Sequence, residues 1–158
     1  MAEDKKEIAI AYLADYPDLI PVCAAWAFGE WGCQTGGSLE RATARFTQGA
    51  NKNKIPLTLV ALVGDKPAGM ISLWDADLES RPDLSPWLAS VYVHPFYRKK
   101  GMGLLLVEHL EEKAKRLGHK TIYLYTETAK GFYEKNGWQE IDRATTALGN
   151  ASVMCNRI

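Results

Sequence analysis

Hydrophobic positions along this chain switch between period two and near-helical spacing, which predicts strands interleaved with helices. Residues 7–12 alternate weakly and read as a first strand. Beyond them Leu19, Val22, Cys23, Trp26 and Phe28 recur at near-helical intervals, so a helix begins near Pro17 or Asp18 and runs toward Trp31. A glycine-bearing stretch at 32–37 interrupts it, and 38–48 reads as a second short helix capped by Ser38. Two β-rich runs, 57–63 and 68–74, are joined by Gly64-Asp65-Lys66-Pro67, the composition of a hairpin turn. After a polar loop at 75–85 comes a strand at 87–93. In the following helix, 101–117, Leu106, Val107, Leu110, Ala114 and Leu117 share one face while Glu111/Lys115 and Glu112/Arg116 form outward i,i+4 pairs. Gly118 stops it. A buried strand at 121–126, a short helix at 129–136 and a hairpin of 138–146 with 152–156, turning over 148–151, complete the pattern. No repeat, low-complexity tract or linker divides it, so residues 1–158 are expected to form one domain built on a mixed α/β sheet.

Composition narrows the function classes. The 158 residues are enough to bury a core without metal or disulfide staples. Nineteen basic and nineteen acidic side chains give no global field toward nucleic acid or an anionic membrane. Cys23, Cys33 and Cys155 are odd in number and lack C-x-x-C spacing, which speaks against a disulfide framework or a zinc site and suits core thiols in a reducing compartment. The first sixteen residues place charge on both sides of a very short apolar run, neither a signal peptide nor a membrane span. A cytoplasmic protein, monomeric or a homodimer, is the expectation.

The chemistry concentrates where the strand 87–93 breaks at His94-Pro95 and passes through Arg98-Lys99-Lys100-Gly101-Met102-Gly103 into an apolar helix. The first N–H groups of a helix have no intrahelical partner, so a glycine-bearing loop entering one aims donors and positive dipole at an anion. Gly101 and Gly103 leave room for a phosphate, and Arg98, Lys99 and Lys100 add charge. A Walker A loop would need Lys-Ser/Thr after the last glycine, where Leu104-Leu105 stand, and a dinucleotide fingerprint would need glycine at Leu106.

The pattern that remains, [Q/R]-x-x-G-x-[G/A] after a strand, resembles the acetyl-CoA signature of the GNAT superfamily of N-acetyltransferases. Downstream, Ala129-Lys130-Gly131-Phe132-Tyr133-Glu134-Lys135-Asn136-Gly137-Trp138 is similar to the family's A-x-x-F/L-Y-x-x-x-G-F/W segment. The resemblance implies the GNAT fold: a single-domain mixed sheet with helices on both faces and a splayed parallel strand pair that admits the pantetheine arm of acetyl-CoA. It implies that residues 98–104, Leu104 included, hold the pyrophosphate, that the backbone of Tyr92 and Val93 pairs with the arm, and that Phe132 and Thr126 border the coenzyme. Thr126 stands where many relatives keep an asparagine. Tyr133 would protonate the departing thiolate.

Acetyl transfer also needs a neutral amine, and an alkylammonium of pKa ~10.4 is less than ~0.1% neutral at pH 7. The glutamate that many relatives carry on the strand at 86–93 is missing. Asp75 and Asp77 after one strand and Glu127 after another are the substitutes, beside solvated loop carboxylates as the plain alternative. A backbone N–H near Val93 would hold the oxyanion. His94, His109 and His119 read as turn or helix-surface residues, and most of the five tryptophans as core, with Trp31 and Trp87 as possible walls of an acceptor pocket. The expected activity is therefore acetyl-CoA-dependent N-acetylation of a primary amine, on a small molecule or an exposed peptide, without metal. The rival is a non-catalytic acyl-CoA-binding regulatory domain.

Overall fold

A strand as apolar as Leu57–Val63, with Thr58 its one polar residue, needs cover on both faces, and the protein supplies it with helices on each side of one sheet. In the computed structural model, which describes residues 7–158, the chain runs β1 (Ile8–Tyr12), α1 (Ile20–Glu30), α2 (Leu39–Gln48), β2 (Leu57–Val63), β3 (Lys66–Trp74), β4 (Trp87–Val93), α3 (Met102–Arg116), β5 (Thr121–Thr126), α4 (Lys130–Lys135), β6 (Gln139–Thr146) and β7 (Gly149–Arg157). The seven strands lie in the order β1-β2-β3-β4-β5-β7-β6, antiparallel throughout except for β4 and β5, which run parallel.

The pleat of β2 sorts its side chains. Leu57, Leu59 and Ala61 pack with Leu106, Val107, Leu110 and Ala114 of α3, while Val60 and Leu62 pack with Cys23 and Ala24 of α1 and Phe46 of α2. Between these layers Thr58 and Ser72 share a buried hydrogen bond of 2.7 Å.

Several boundaries differ from the sequence expectation for local reasons. Pro17–Leu19 form a 3-10 turn and the α-helix begins at Ile20, where Pro21 sits in the first turn and its missing N–H leaves no bond unmade. The Ser38 hydroxyl does accept from the Arg41 N–H at 3.1 Å. Glu111 is not paired with Lys115; it turns inward, accepting from Trp138 Nε1 (3.3 Å) and Asn156 Nδ2 (3.2 Å), whereas Glu112 keeps Arg116 at 3.2 Å. The last turn is two residues, Ala147 and Leu148, because Gly149, Asn150 and Ala151 already pair with Thr146, Thr145 and Ala144. Of the cysteines, Cys23 is core, with its thiol pushed up to about 12 by burial, but Cys33 is exposed.

The feature that shapes the site is a bulge in β4. Trp87, Leu88 and Ala89 pair with Trp74, Leu73 and Ser72, and the register then slips to Tyr92 with Met70 and Val93 with Gly69. Ser90 and Val91 share the space opposite Ile71, with Ser90 at φ 55°. The extra residue reverses the phase of the strand: Trp87, Ala89 and Tyr92 all face the α1–α2 layer, and Leu88, Val91 and Val93 the α3 layer. β4 meets β5 only at Trp87 and Tyr123, then departs from it.

Gly69 stands opposite Val93, just past the bulge. A Cβ there would lie 2.8 Å from the Tyr92 carbonyl oxygen and 3.2 Å from Leu106 Cδ1. Gly69→Ala is expected to destabilise the fold by about 1–3 kcal/mol through overpacking, read as a lower urea midpoint at unchanged slope.

Candidate active site

Where β4 and β5 part, a cleft of about 640 Å³ opens, lined by Ser90 and Val91 on one side and by Tyr125, Thr126, Glu127 and Tyr133 on the other. Glu30 and Trp31 at the end of α1, Arg45 of α2, Asp77 of the loop after β3 and Phe132 complete its walls.

Two carboxylates in this cleft have different environments. Asp77 is largely buried, and that burial holds its carboxyl above the ordinary range although Arg45, at 3.1 Å, opposes it. The Arg45 guanidinium lies 4.6 Å above the Trp74 ring. Among the described residues no cation pairs with Glu127; burial first, and the negative charge of Asp77 second, raise its pKa. Tyr125 is pushed up to about 12 by burial, with Asp77 and Glu127 adding to the effect. These mutual influences place the two carboxylates and Tyr125 around one volume.

Tyr133 packs its ring against Phe132 and Trp138, with centroids at 5.0 and 5.7 Å, and burial alone pushes its phenol up to about 12. Thr126 turns its hydroxyl oxygen to the chain that follows, accepting from the N–H groups of Ala129 (2.9 Å) and Thr128 (3.3 Å), and so fixes the approach to α4 that carries Tyr133.

At the other end of β4, Lys99 at φ 63° and Gly101 at φ 81° turn the chain into α3. No side chain caps that helix and its first turn holds no acid, so its leading N–H groups stay open to an anion. A Cβ on Gly101 or Gly103 would meet nothing within 4 Å. Met102 is buried and anchors the turn in the core. Arg98 bends back: its Nε donates to the Val93 carbonyl at 2.8 Å and its guanidinium lies 5.6 Å from the Tyr92 ring, leaving Lys99 and Lys100 exposed at the loop. The open space at both glycines and the uncapped helix leave room and free N–H donors for an anion.

The sequence candidates thus separate. Asp77, Glu127, Thr126, Phe132 and Tyr133 share the cleft, whereas Asp75 is exposed and lines a shallower pocket with Trp74 and Pro82. Tyr92 and Val93 lie between cleft and loop, Tyr92 stacking on Trp26 at 5.1 Å. Trp31 is a cleft wall, but Trp87 is fully buried in the α1–α2 layer and donates to the Leu84 carbonyl. Arg45 and Tyr125 were missed: Arg45 and Asp77 are 32 residues apart, and no spacing rule joins them.

The acetyltransferase (GNAT) family profile matches residues 13–138. The chain belongs to the GNAT acetyltransferase family. No curated protein matches it. Among solved structures, an aminoglycoside 6'-acetyltransferase type Ii is similar at 22% identity, over 94% of this chain and 96% of that one, with a TM-score of 0.74. An aminoglycoside 6'-N-acetyltransferase complexed with coenzyme A is 19% identical over 96% of both chains, TM-score 0.74. A chain of the NatC complex bound to Gag peptide and CoA is 17% identical over 96% and 99%, TM-score 0.73. The GNAT fold, with its parallel β4–β5 pair, is thereby established, and with it an N-acetyltransferase that takes acetyl-CoA as cosubstrate. Among the described residues no three metal-ligating side chains cluster, and no helix is long and apolar enough to cross a membrane.

Because Tyr133 holds its proton more tightly folded (about 12) than at the ordinary value of 10.0, its contribution to stability is complete below pH 10 and is lost as pH rises toward 12. Alkaline difference absorbance between the protein and Tyr133→Phe is expected to show no Tyr133 phenolate at pH 10.

Proposed function

We propose that this GNAT domain acetylates a primary amine carried by a cationic small molecule or an exposed peptide end, with Glu127 as general base, Asp77 as the anion that holds the ammonium, and Tyr133 as the acid. The observation that carries this is the meeting of an unpaired, raised carboxylate, an arginine-tied carboxylate and a buried phenol in one cleft between the splayed strands. Glu30, Asp77 and Glu127 against Arg45 leave that cleft negative, which suits a cation. Solved neighbours named for aminoglycosides and bound to a peptide support the same class of acceptor.

When bound, acetyl-CoA supplies a thioester whose acyl carbon takes the amine nitrogen as the C–S bond breaks. Around it the chain's own groups act in turn. The backbone N–H groups from Lys99 through Gly103 to Leu104 hold the pyrophosphate, and Arg98, Lys99 and Lys100 add attraction. The β4 backbone through Tyr92 and Val93 runs beside the pantetheine arm, with Thr126 and Phe132 across from it. Glu127, raised toward neutrality, takes the ammonium proton that must leave before nitrogen can attack. The nitrogen still carries two hydrogens after it attacks and releases one to solvent as the C–S bond breaks; Tyr133 stays neutral up to alkaline pH, so it gives its proton to the leaving sulfur and is reprotonated from solvent.

A screen of polyamines, aminoglycosides, amino acids and peptide N-termini, read by free-thiol release, finds the acceptor. With it, Tyr133→Phe is expected to bind acetyl-CoA within a few-fold of the native chain and to turn over at least ~10-fold more slowly. Full turnover in that variant would reduce Tyr133 to a wall, and no turnover by the native chain on any amine would favour a non-catalytic acyl-CoA-binding domain. Gly103→Val is expected to abolish CoA binding by calorimetry while leaving the fold intact, since an added Cβ meets nothing within 4 Å in the protein itself and would crowd the pyrophosphate in the site proposed for it.

A further inference from the structure

Arg45 has no part in the chemistry so far, yet it is placed where it sets the character of the site. It comes from α2, lines the central cleft, and also lines the neighbouring pocket that contains Asp75 and Trp74. Its Nη2 donates to Asp77 Oδ1 at 3.1 Å while the plane of the guanidinium rests over Trp74, so its position is fixed by two contacts on two elements. Asp77 is also a wall of both spaces.

We propose that Arg45 is a positioning residue for acetyl transfer: it clamps Asp77 in the cleft as a permanent anion, so that Glu127 alone exchanges the substrate's proton. The charged and titratable groups around Asp77 are Arg45 from α2, Glu127 and Tyr125 from the β5 end, Glu30 from α1, and Asp75 and Glu79 from its own loop on the side of the neighbouring pocket; Tyr133 shares the cleft from α4. Only Arg45 is cationic. Two carboxylates facing one volume would otherwise share a proton, as like charges cannot both ionise freely in a poorly solvated site. With Asp77 held anionic, its charge favours the protonated form of Glu127. The clamp therefore separates a fixed anion from a working base. This role rests on the assignment of Glu127 as the base.

The test is carboxyl-carbon NMR on the full chain labelled at Asp and Glu, titrated with and without CoA, with Asp77 and Glu127 identified through Asp77→Asn and Glu127→Gln. In the native chain Asp77 is expected to titrate below Glu127. Arg45→Met keeps an apolar stem to cover Trp74 and removes the charge; it should raise the Asp77 midpoint by about one pH unit or more, a tenfold change in proton affinity. Arg45→Lys should return most of that shift. With the acceptor from the thiol-release screen, Arg45→Met should raise KM more than it lowers kcat. Asp77 titrating above Glu127 in the native chain, or an Asp77 midpoint that stays put in a folded Arg45→Met, would overturn the proposal. Failure of the base assignment is a separate result: Glu127→Gln would then retain native turnover while the Arg45–Asp77 coupling persisted by NMR.

Discussion

Two parallel strands that pair at Trp87 and Tyr123 and then separate leave backbone polar groups on their facing edges without sheet partners, an arrangement that costs stability unless something else meets those groups. Here the separation is imposed by one extra residue in β4. With Ser90 at φ 55° the strand is steered away from β5 while its other edge remains paired with β3. Each element of the proposed site is arranged around that departure: the cleft occupies the gap, Tyr133 lines it from α4, Asp77 and Glu127 are among its walls, and β4 continues into the glycine-bearing loop at the head of α3. An extended pantetheine arm is what an open strand edge of this kind accepts.

Low solvation then gives the groups in the gap their chemistry. Burial raises Tyr133, Glu127 and Asp77 together, but only Asp77 has a guanidinium to oppose it. Both carboxylates stay above their ordinary range, but the guanidinium opposes burial at Asp77 alone, so the two stand in different environments within one cleft. A phenol at about 12 protonates an ordinary thiolate, near ~8.5, against the gradient. The same apolar surroundings raise a thiolate formed beside Tyr133, so the mismatch narrows at the moment the C–S bond breaks.

The sequence made the architecture legible because its signals were local. The period-two runs, the Ser38 cap, the α3 face and the Gly101/Gly103 loop each depend on residues within a few positions of one another. What it hid depended on tertiary contacts or on a single slipped register. Nothing in Trp87–Val93 announces the bulge, since Ser90 in a strand of mixed residues violates no rule. Glu111 fits an outward pair by spacing and yet turns inward to Trp138 and Asn156. The absent glutamate in β4 directed attention to carboxylates at the neighbouring strand ends, but Asp75 and Asp77 are equivalent on paper. They divide only when the loop turns one toward Arg45 and leaves the other exposed.

The central claim is that the gap made by the β4 bulge is where the thioester reacts. A crystal structure of the protein with CoA tests it most directly. The pyrophosphate is expected on the amides from Lys99 to Leu104, the arm along β4, and the sulfur in contact with the Tyr133 hydroxyl on the same side of the sheet opening as Glu127 and Asp77. A coenzyme sulfur lodged elsewhere, for example in the groove lined by Tyr12 of β1 and His109 of α3, would contradict the account.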